Sequence, residues 1–401
     1  MTKMRATLIA GALTAMVLAI VPAASGASAA NEICVGAPPC FGTIQKAVDA
    51  AHDGGVIRIG PGTFAGGVTI DKSVEVIGSG ASKTIIKGGG PVLTIGEAFA
   101  PREPTVTISK VKITGGRTTS SPLSKEYVGK KNVIALGGGI AIPPGEFVEG
   151  EDHFADGAMV KVTDSVISGN RVGPSATVPF GPPCPGGDCP FAAAGGGGID
   201  NWGALTLERT EVSNNRAAGV GSDAIGGGID SPQGSLDLRH STITGNRAIA
   251  GVPNGRYAEG GGIFTGGLLG NDAPVAVRVR GGAISGNEAS LTSKLPFFVG
   301  GADGPTIDMN ANGGGAHLGG GSTISIAHTR INENKVSVDD PNGEPYAFDS
   351  ALQFGEGSTI DLRHSTIEDN RLRANIGSSE HVGPSGSAFG IDGPSKGGPG
   401  P

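Results

Sequence analysis

LDLRHSTITGNR, residues 236–247, alternates apolar and polar side chains over its first four positions, bends, resumes with apolar Ile243 and closes on Asn246 and a basic residue. The block recurs as VKVTDSVISGNR from Val160, LTLERTEVSNNR from Leu205, VRVRGGAISGNE from Val277, ISIAHTRINENK from Ile324 and IDLRHSTIEDNR from Ile360. A further copy, VTISKVKITGGR from Val106, has Gly116 in the place of the asparagine. Alternation of this kind turns positions one and three toward a core and two and four toward solvent, and position eight opens a second inward-facing strand after the bend. Most copies follow a glycine cluster ending in a small or apolar residue, at 137–140, 196–199, 226–229, 260–263 and 313–316, which supplies a third short strand. A unit that repeats every 31 to 47 residues between successive asparagines has the period of a solenoid. The expected fold is therefore all-β, a right-handed parallel β-helix with three strands per coil and coils stacked about 4.8 Å apart.

The asparagines Asn170, Asn215, Asn246, Asn287, Asn334 and Asn370 fall at one position of six successive units. Asparagine tolerates a left-handed corner and can hydrogen-bond its amide to the same amide one coil away, so a structural ladder is expected. Spacing varies mostly after the asparagine: 171–194 and 288–312 are long, 216–225 is short. Insertions therefore leave from one corner and crowd one side of the rod, in solenoids commonly the binding side.

The alternation of GG[AG]I clusters with [ST]GN resembles the repeats of bacterial polymorphic membrane proteins and the wider pectin-lyase-like β-helix superfamily. The stretch TIQKAVDAAHDGGVIRIGPGTF, 43–64, followed by GVTIDKSVEVIGSG, is similar to the opening of many members, a short capping helix and then the first coils. Ile44, Ala47, Val48 and Ala51 give that helix one apolar face to cover the open end of the core. The resemblance covers roughly residues 34–375. It implies the fold and leaves the function open, because lyases, hydrolases, esterases, adhesins and inert scaffolds share it. A polygalacturonase-like member would carry Asn-Thr-Asp, Asp-Asp, Gly-His-Gly and Arg-Ile-Lys segments, and a methylesterase Gly-Asn-x-Asp-Phe. The sequence departs from both patterns: its adjacent aspartates, Asp339 and Asp340, stand in the turn sequence VDDPNG. A pectate-lyase arrangement, acidic residues holding calcium beside an arginine base, forms only by stacking and stays open at this level.

Residues 1–30 read as an export signal: Lys3 and Arg5, an uncharged run over 6–21, Pro22, and small residues ending at Ala30. The expected organisation is this signal peptide, a β-helix domain over 31–375 and a disordered Gly/Ser/Pro-rich tail over 376–401, in a secreted, extracellular monomer. No segment of the mature chain approaches eighteen consecutive apolar residues, so no membrane span is expected. Without Lys3 and Arg5, 28 of the 30 basic residues remain against 37 acidic ones, a net charge of −9 that argues against nucleic acid and anionic partners. The four cysteines form two close pairs, Cys34 with Cys40 and Cys184 with Cys189, in a compartment where disulfides persist. Three connectivities are available, and two local links need the least chain closure.

Two candidate columns emerge from the register. Asp200 and Asp230 follow GGGI clusters in successive units, so they should point outward in one column, about 5 Å apart. Such a pair can take up a divalent cation, calcium above all, or share a proton, while the alternative is that both merely end a glycine turn. Trp202, the only tryptophan, lies two residues on and could offer a sugar-stacking face. At block position five stand Arg209, His240, His328 and His364, which could bind a transition metal or form a solvated corner. An aromatic content of 4% argues against a long glycan cleft lined with stacking rings. Two function classes follow: a noncatalytic scaffold or surface/carbohydrate-binding protein, whose partner would be an extracellular polysaccharide or a cell surface, and a polysaccharide lyase or glycoside hydrolase working at Asp200 and Asp230.

Overall fold

A computed structural model of the chain describes residues 32–121, 133–148, 153–174, 192–218, 223–251, 257–266, 274–292, 310–340, 346–376 and 389–391. The expected export signal and the Cys184/Cys189 pair lie outside these residues. One coil shows the plan of the rest. Met159–Thr163 and Val166–Ser168 lie in a wide sheet, Arg171–Val172 leaves it, Ala192–Gly195 returns, and Ile199–Asn201 forms the base before the next coil begins. Each segment pairs in parallel with its equivalent one coil on: Val160 with Leu205, Ile167 with Val212, Arg171 with Arg216, Ala194 with Ala224 and Ile199 with Ile229. The fold is thus a parallel β-helix solenoid, and among the described residues only the hairpin of Phe147–Val148 with His153–Phe154 is antiparallel.

The three-strand coil expected from the sequence becomes five strand segments in four sheets. After the asparagine the chain keeps going as a strand, leaves the coil, and comes back alongside itself. These leading and returning strands form an arm with its own core, in which Ala194, Ala224 and Ala258 face Val172, Ala217 and Ala248. The small side chains let the two sheets approach closely. The main core is built as the alternation requires: Val160, Val162, Ile167 and Ile199 stack on Leu205, Leu207, Val212 and Ile229, all buried. Each such burial stabilises by about 1.5–3 kcal/mol, which the stacked coils accumulate.

The left-handed corner falls elsewhere than expected. It is taken by block position five (Asp164, Arg209, His240, His328, His364) and by position ten (Gly169, Asn214, Gly245, Glu333, Asp369), one residue before each ladder asparagine. That turn swings the asparagine inward. Asn215 donates from Nδ2 to Asn246 Oδ1 at 3.0 Å and to the Ile167 carbonyl at 2.9 Å, and its backbone N–H reaches the same Asn246 Oδ1 at 3.0 Å. The pattern runs from Asn170 to Asn370. In the coil that has Gly116 instead, the Gly116 N–H donates to Asn170 Oδ1.

The glycine cluster makes the bend from returning strand to base. At Gly197 a Cβ would collide with the Gly227 carbonyl of the next coil and with the Arg216 backbone, so successive bends nest main chain on main chain. Helix α1 (Ile44–Ala50) closes the N-terminal end: the Thr43 hydroxyl caps it by accepting the Lys46 N–H, and Ile44, Ala47, Val48 and Ala51 are buried. Cys34 and Cys40 are joined, their Cα atoms 4.9 Å apart. At the other end Phe389–Ile391 pairs with Leu352–Phe354, so a strand stands inside the segment expected to be disordered. Among the described residues no helix is long and apolar enough to cross a membrane.

Candidate functional site

On the outward side of the base sheet Thr94, Ala141, Asp200, Asp230, Phe264 and His317 follow one another in register. Asp200 and Asp230 are direct neighbours in this column. They do not face solvent, in contrast to the expectation: they are 2% and 1% exposed. The reason is the arm, whose returning strand folds back across the outside of the base. A Cβ on Gly195 would collide with Asp230 Oδ2 and with Leu136, so the missing side chain is the space that the carboxyl fills. Asp200 Oδ1 and Asp230 Oδ1 have no hydrogen-bond partner.

Burial, and then the charge of Asp230, hold the Asp200 carboxyl well above the usual range, with the Trp202 indole N–H working weakly the other way. That contact does not close into a hydrogen bond, since Trp202 Nε1 and Asp200 Oδ1 both lack a partner within bonding distance. Burial pushes Asp230 up to about 8. Burial and the closeness of the two carboxyls both favour the protonated form of the pair. Calcium takes about 6–8 oxygen ligands, and two carboxyls beside Ala141, Phe264 and an indole N–H are a donor set suited to protons rather than to a cation. Among the described residues no group of three or more His, Cys, Asp and Glu is placed to hold a metal.

Trp202 is 8% exposed and packs its ring edge-on against Phe154, centroids 6.0 Å apart, so it cannot serve as a sugar platform. Phe154 also meets Phe99 and Phe147, and Phe147, 43% exposed, is the ring of this cluster that reaches solvent. A further carboxyl, Glu103, is pushed up to about 7 by burial and by Glu97, and both its oxygens are buried without partners. In the position-five column His328 and His364 stack with centroids 5.0 Å apart and planes within 4°. Their rings are exposed and parallel at coil spacing, the arrangement that stacking alone dictates. Arg209 pairs there with Asp164 at 2.7 Å, and this hydrogen bond holds Asp164 below the usual carboxylate range. The column is a solvated corner.

Another column was not legible beforehand. Block position twelve places Arg117, Arg171, Arg216, Arg247, Glu288 and Lys335 in one line along the outside of the arm's leading sheet. Glu288 is engaged by Lys335 at 2.6 Å and by Arg247 at 3.5 Å. Arg117, Arg171 and Arg216 have no acidic partner among the described residues. Arg216 is half-buried, its Nε lacks an acceptor, and burial together with the charges of Arg171 and Arg247 lowers its pKa. The charged residue closing each block, basic in all but the copy ending at Glu288, was visible in the sequence, but the line exists only once the coils are in register.

No family model matches the chain, and no curated protein matches it in sequence. Among solved structures it is similar to the A-module of the mannuronan C-5 epimerase AlgE4 of Azotobacter vinelandii, at 11% identity over 87% of this chain and 95% of that one, with a TM-score of 0.29. A likeness at that level carries no argument about function; the strand register described above carries the fold.

Proposed function

We propose that this chain is an exported, noncatalytic β-helix scaffold that binds a linear acidic polysaccharide along the outside of its arm. The observation behind this reading is the line Arg117, Arg171, Arg216 and Arg247, four guanidiniums on successive coils of which, among the described residues, only Arg247 has an acidic neighbour. Like charges directly opposite one another on adjacent strands destabilise a sheet. An anionic chain lying along the rod would relieve that repulsion, and guanidiniums match carboxylate or sulfate oxygens with paired hydrogen bonds. The net negative charge, which argued against anionic partners, is a sum over the whole chain; these four arginines stand together in one line. Nucleic acid fits less well, because this line contains no aromatic side chain on which a base could stack. A lyase or hydrolase acting at Asp200 and Asp230 would require substrate to reach carboxyls closed off by the arm.

The test is binding to a panel of polyuronate, sulfated and neutral glycans at several salt concentrations, with product release followed in parallel. Expected are binding of the acidic polymers only, weakening with salt, its loss in Arg171→Gln/Arg216→Gln/Arg247→Gln, and no chain cleavage. Equal affinity of that variant and the wild type would refute the arginine line, and product release would refute the noncatalytic reading.

A further inference from the structure

We propose that Asp200 and Asp230 form a proton-loaded clasp that keeps the returning strands of the arm closed over the base sheet and lets them open when the pair ionises. The inference is independent of the polysaccharide reading. It starts from geometry: two carboxyls at neighbouring positions of one column, both buried, each with an oxygen that has no partner, with Asp230 seated under a strand that leaves it room because residue 195 is glycine. With protons in place the pair is neutral and each carboxyl can offer an O–H to an otherwise unpartnered oxygen. Without them, two like charges one coil apart sit shut off from solvent, and each disfavours the other's ionised form.

Among the described residues, the groups around the pair offer no cation to absorb that charge. The base sheet contributes Ala141 and Phe264 on either side of the pair. From the arm come Gly195, Ile225 and Asp223, whose Oδ1 accepts the Tyr257 N–H at 3.1 Å. The only histidine in this column, His317, stands beyond Phe264 and faces Glu259 at 3.8 Å. Trp202 presents a neutral N–H. Relief must therefore come from water, and water enters by lifting Ala192–Gly195 and Asp223–Ile225 from the base. Burial of Asp230 sets the pH at which this begins, at about 8.

Trp202 is the only tryptophan and lies beside Asp200, so it reports the event directly. The experiment follows its emission maximum and acrylamide quenching in the full chain from pH 5 to 9.5, with far-ultraviolet circular dichroism as a check on the coil. In the wild type the emission should be blue-shifted and poorly quenched at neutral pH, then shift to the red and quench readily as pH rises past about 8, with the dichroism unchanged. Asp200→Asn and Asp230→Asn, made singly, should each weaken or remove this transition. The clasp is overturned if the wild type shows no transition, or if both variants keep it unaltered. It is also overturned if EDTA produces the open signal at pH 7 and calcium reverses it, because the pair would then hold a cation. The pH and EDTA measurements on the wild type decide the matter even where a variant fails to fold.

Discussion

Replacing Asn246 by alanine removes an inner rung of the ladder, and the structure shows what is left behind. Asn246 is 0% exposed. Its Oδ1 accepts two donors of Asn215, the backbone N–H and Nδ2, both at 3.0 Å, and its own Nδ2 donates to the Val212 carbonyl at 2.9 Å. Alanine leaves these three buried groups without that partner, while Asn287 Oδ1 keeps the backbone N–H of residue 246. With a buried orphan costing ~1–3 kcal/mol and some relaxation allowed, the loss should be ~3–5 kcal/mol. Asn370 makes the same bonds to Asn334 at the half-buried last rung, where water can stand in, so Asn370→Ala should lose only ~1 kcal/mol. Denaturant unfolding followed by circular dichroism measures both, with coincidence of a second probe required because stacked repeats can lose cooperativity. If Asn246→Ala proves no worse than Asn370→Ala, the buried ladder is not what holds the corner, and the stability of this edge must come from the packing behind it.

The carboxyl pair makes a prediction about pH. Asp230 has a folded pKa raised from 3.8 to about 8, so its favourable contribution is full below about pH 4 and lost as pH rises toward 8. Asp230→Asn should therefore gain on the wild type as pH rises, by up to ~4 kcal/mol at pH 7, and nothing near pH 4; parallel stability curves would refute the protonated pair. Leu238→Asp, which puts an unpaired charge into the main core, should unfold the protein or sharply lower its melting temperature, and a soluble variant with unchanged melting would contradict the inward face of the block. Opening the Cys34–Cys40 link should cost ~2 kcal/mol, mostly near the N-terminal cap. Nonreducing peptide maps should also show Cys184 joined to Cys189, and a crossed or free pair would refute that pairing.

What the sequence disclosed follows the reach of local pattern. Alternation at Leu236, Leu238 and Ile243 reports which way side chains point relative to their own strand, and the wide sheet and its core follow from it. The helix was legible for the same reason, one apolar face at Ile44, Ala47 and Val48 behind a capping Thr43. The arm was not, because Ala194, Ala217, Ala224 and Ala248 carry too little apolar surface to announce a core, and it is only by facing one another that they make one. The aspartates show the limit most clearly. Their register and outward direction could be read from GGGID, yet whether outward means water depends on a strand that returns from the far side of the coil. The left-handed turn falls one residue before the asparagine that local pattern points to, since Gly169 or Asp369 does the turning and frees the amide to bond.

The nested glycine bends bear on the arginine line in a way that side chains alone would not suggest. Where Gly197 meets the Gly227 carbonyl there is no side chain to compress or repack, so main chain sets the distance from one coil to the next. The guanidiniums of Arg171, Arg216 and Arg247 are thus graduations on a ruler whose divisions their own rotamers can blur but not rescale. A polymer whose charges keep time with those divisions can engage every mark at once, whereas one with a different period falls out of step within a few coils, however strongly charged it is. Selectivity of this kind is a matter of beat rather than of fit.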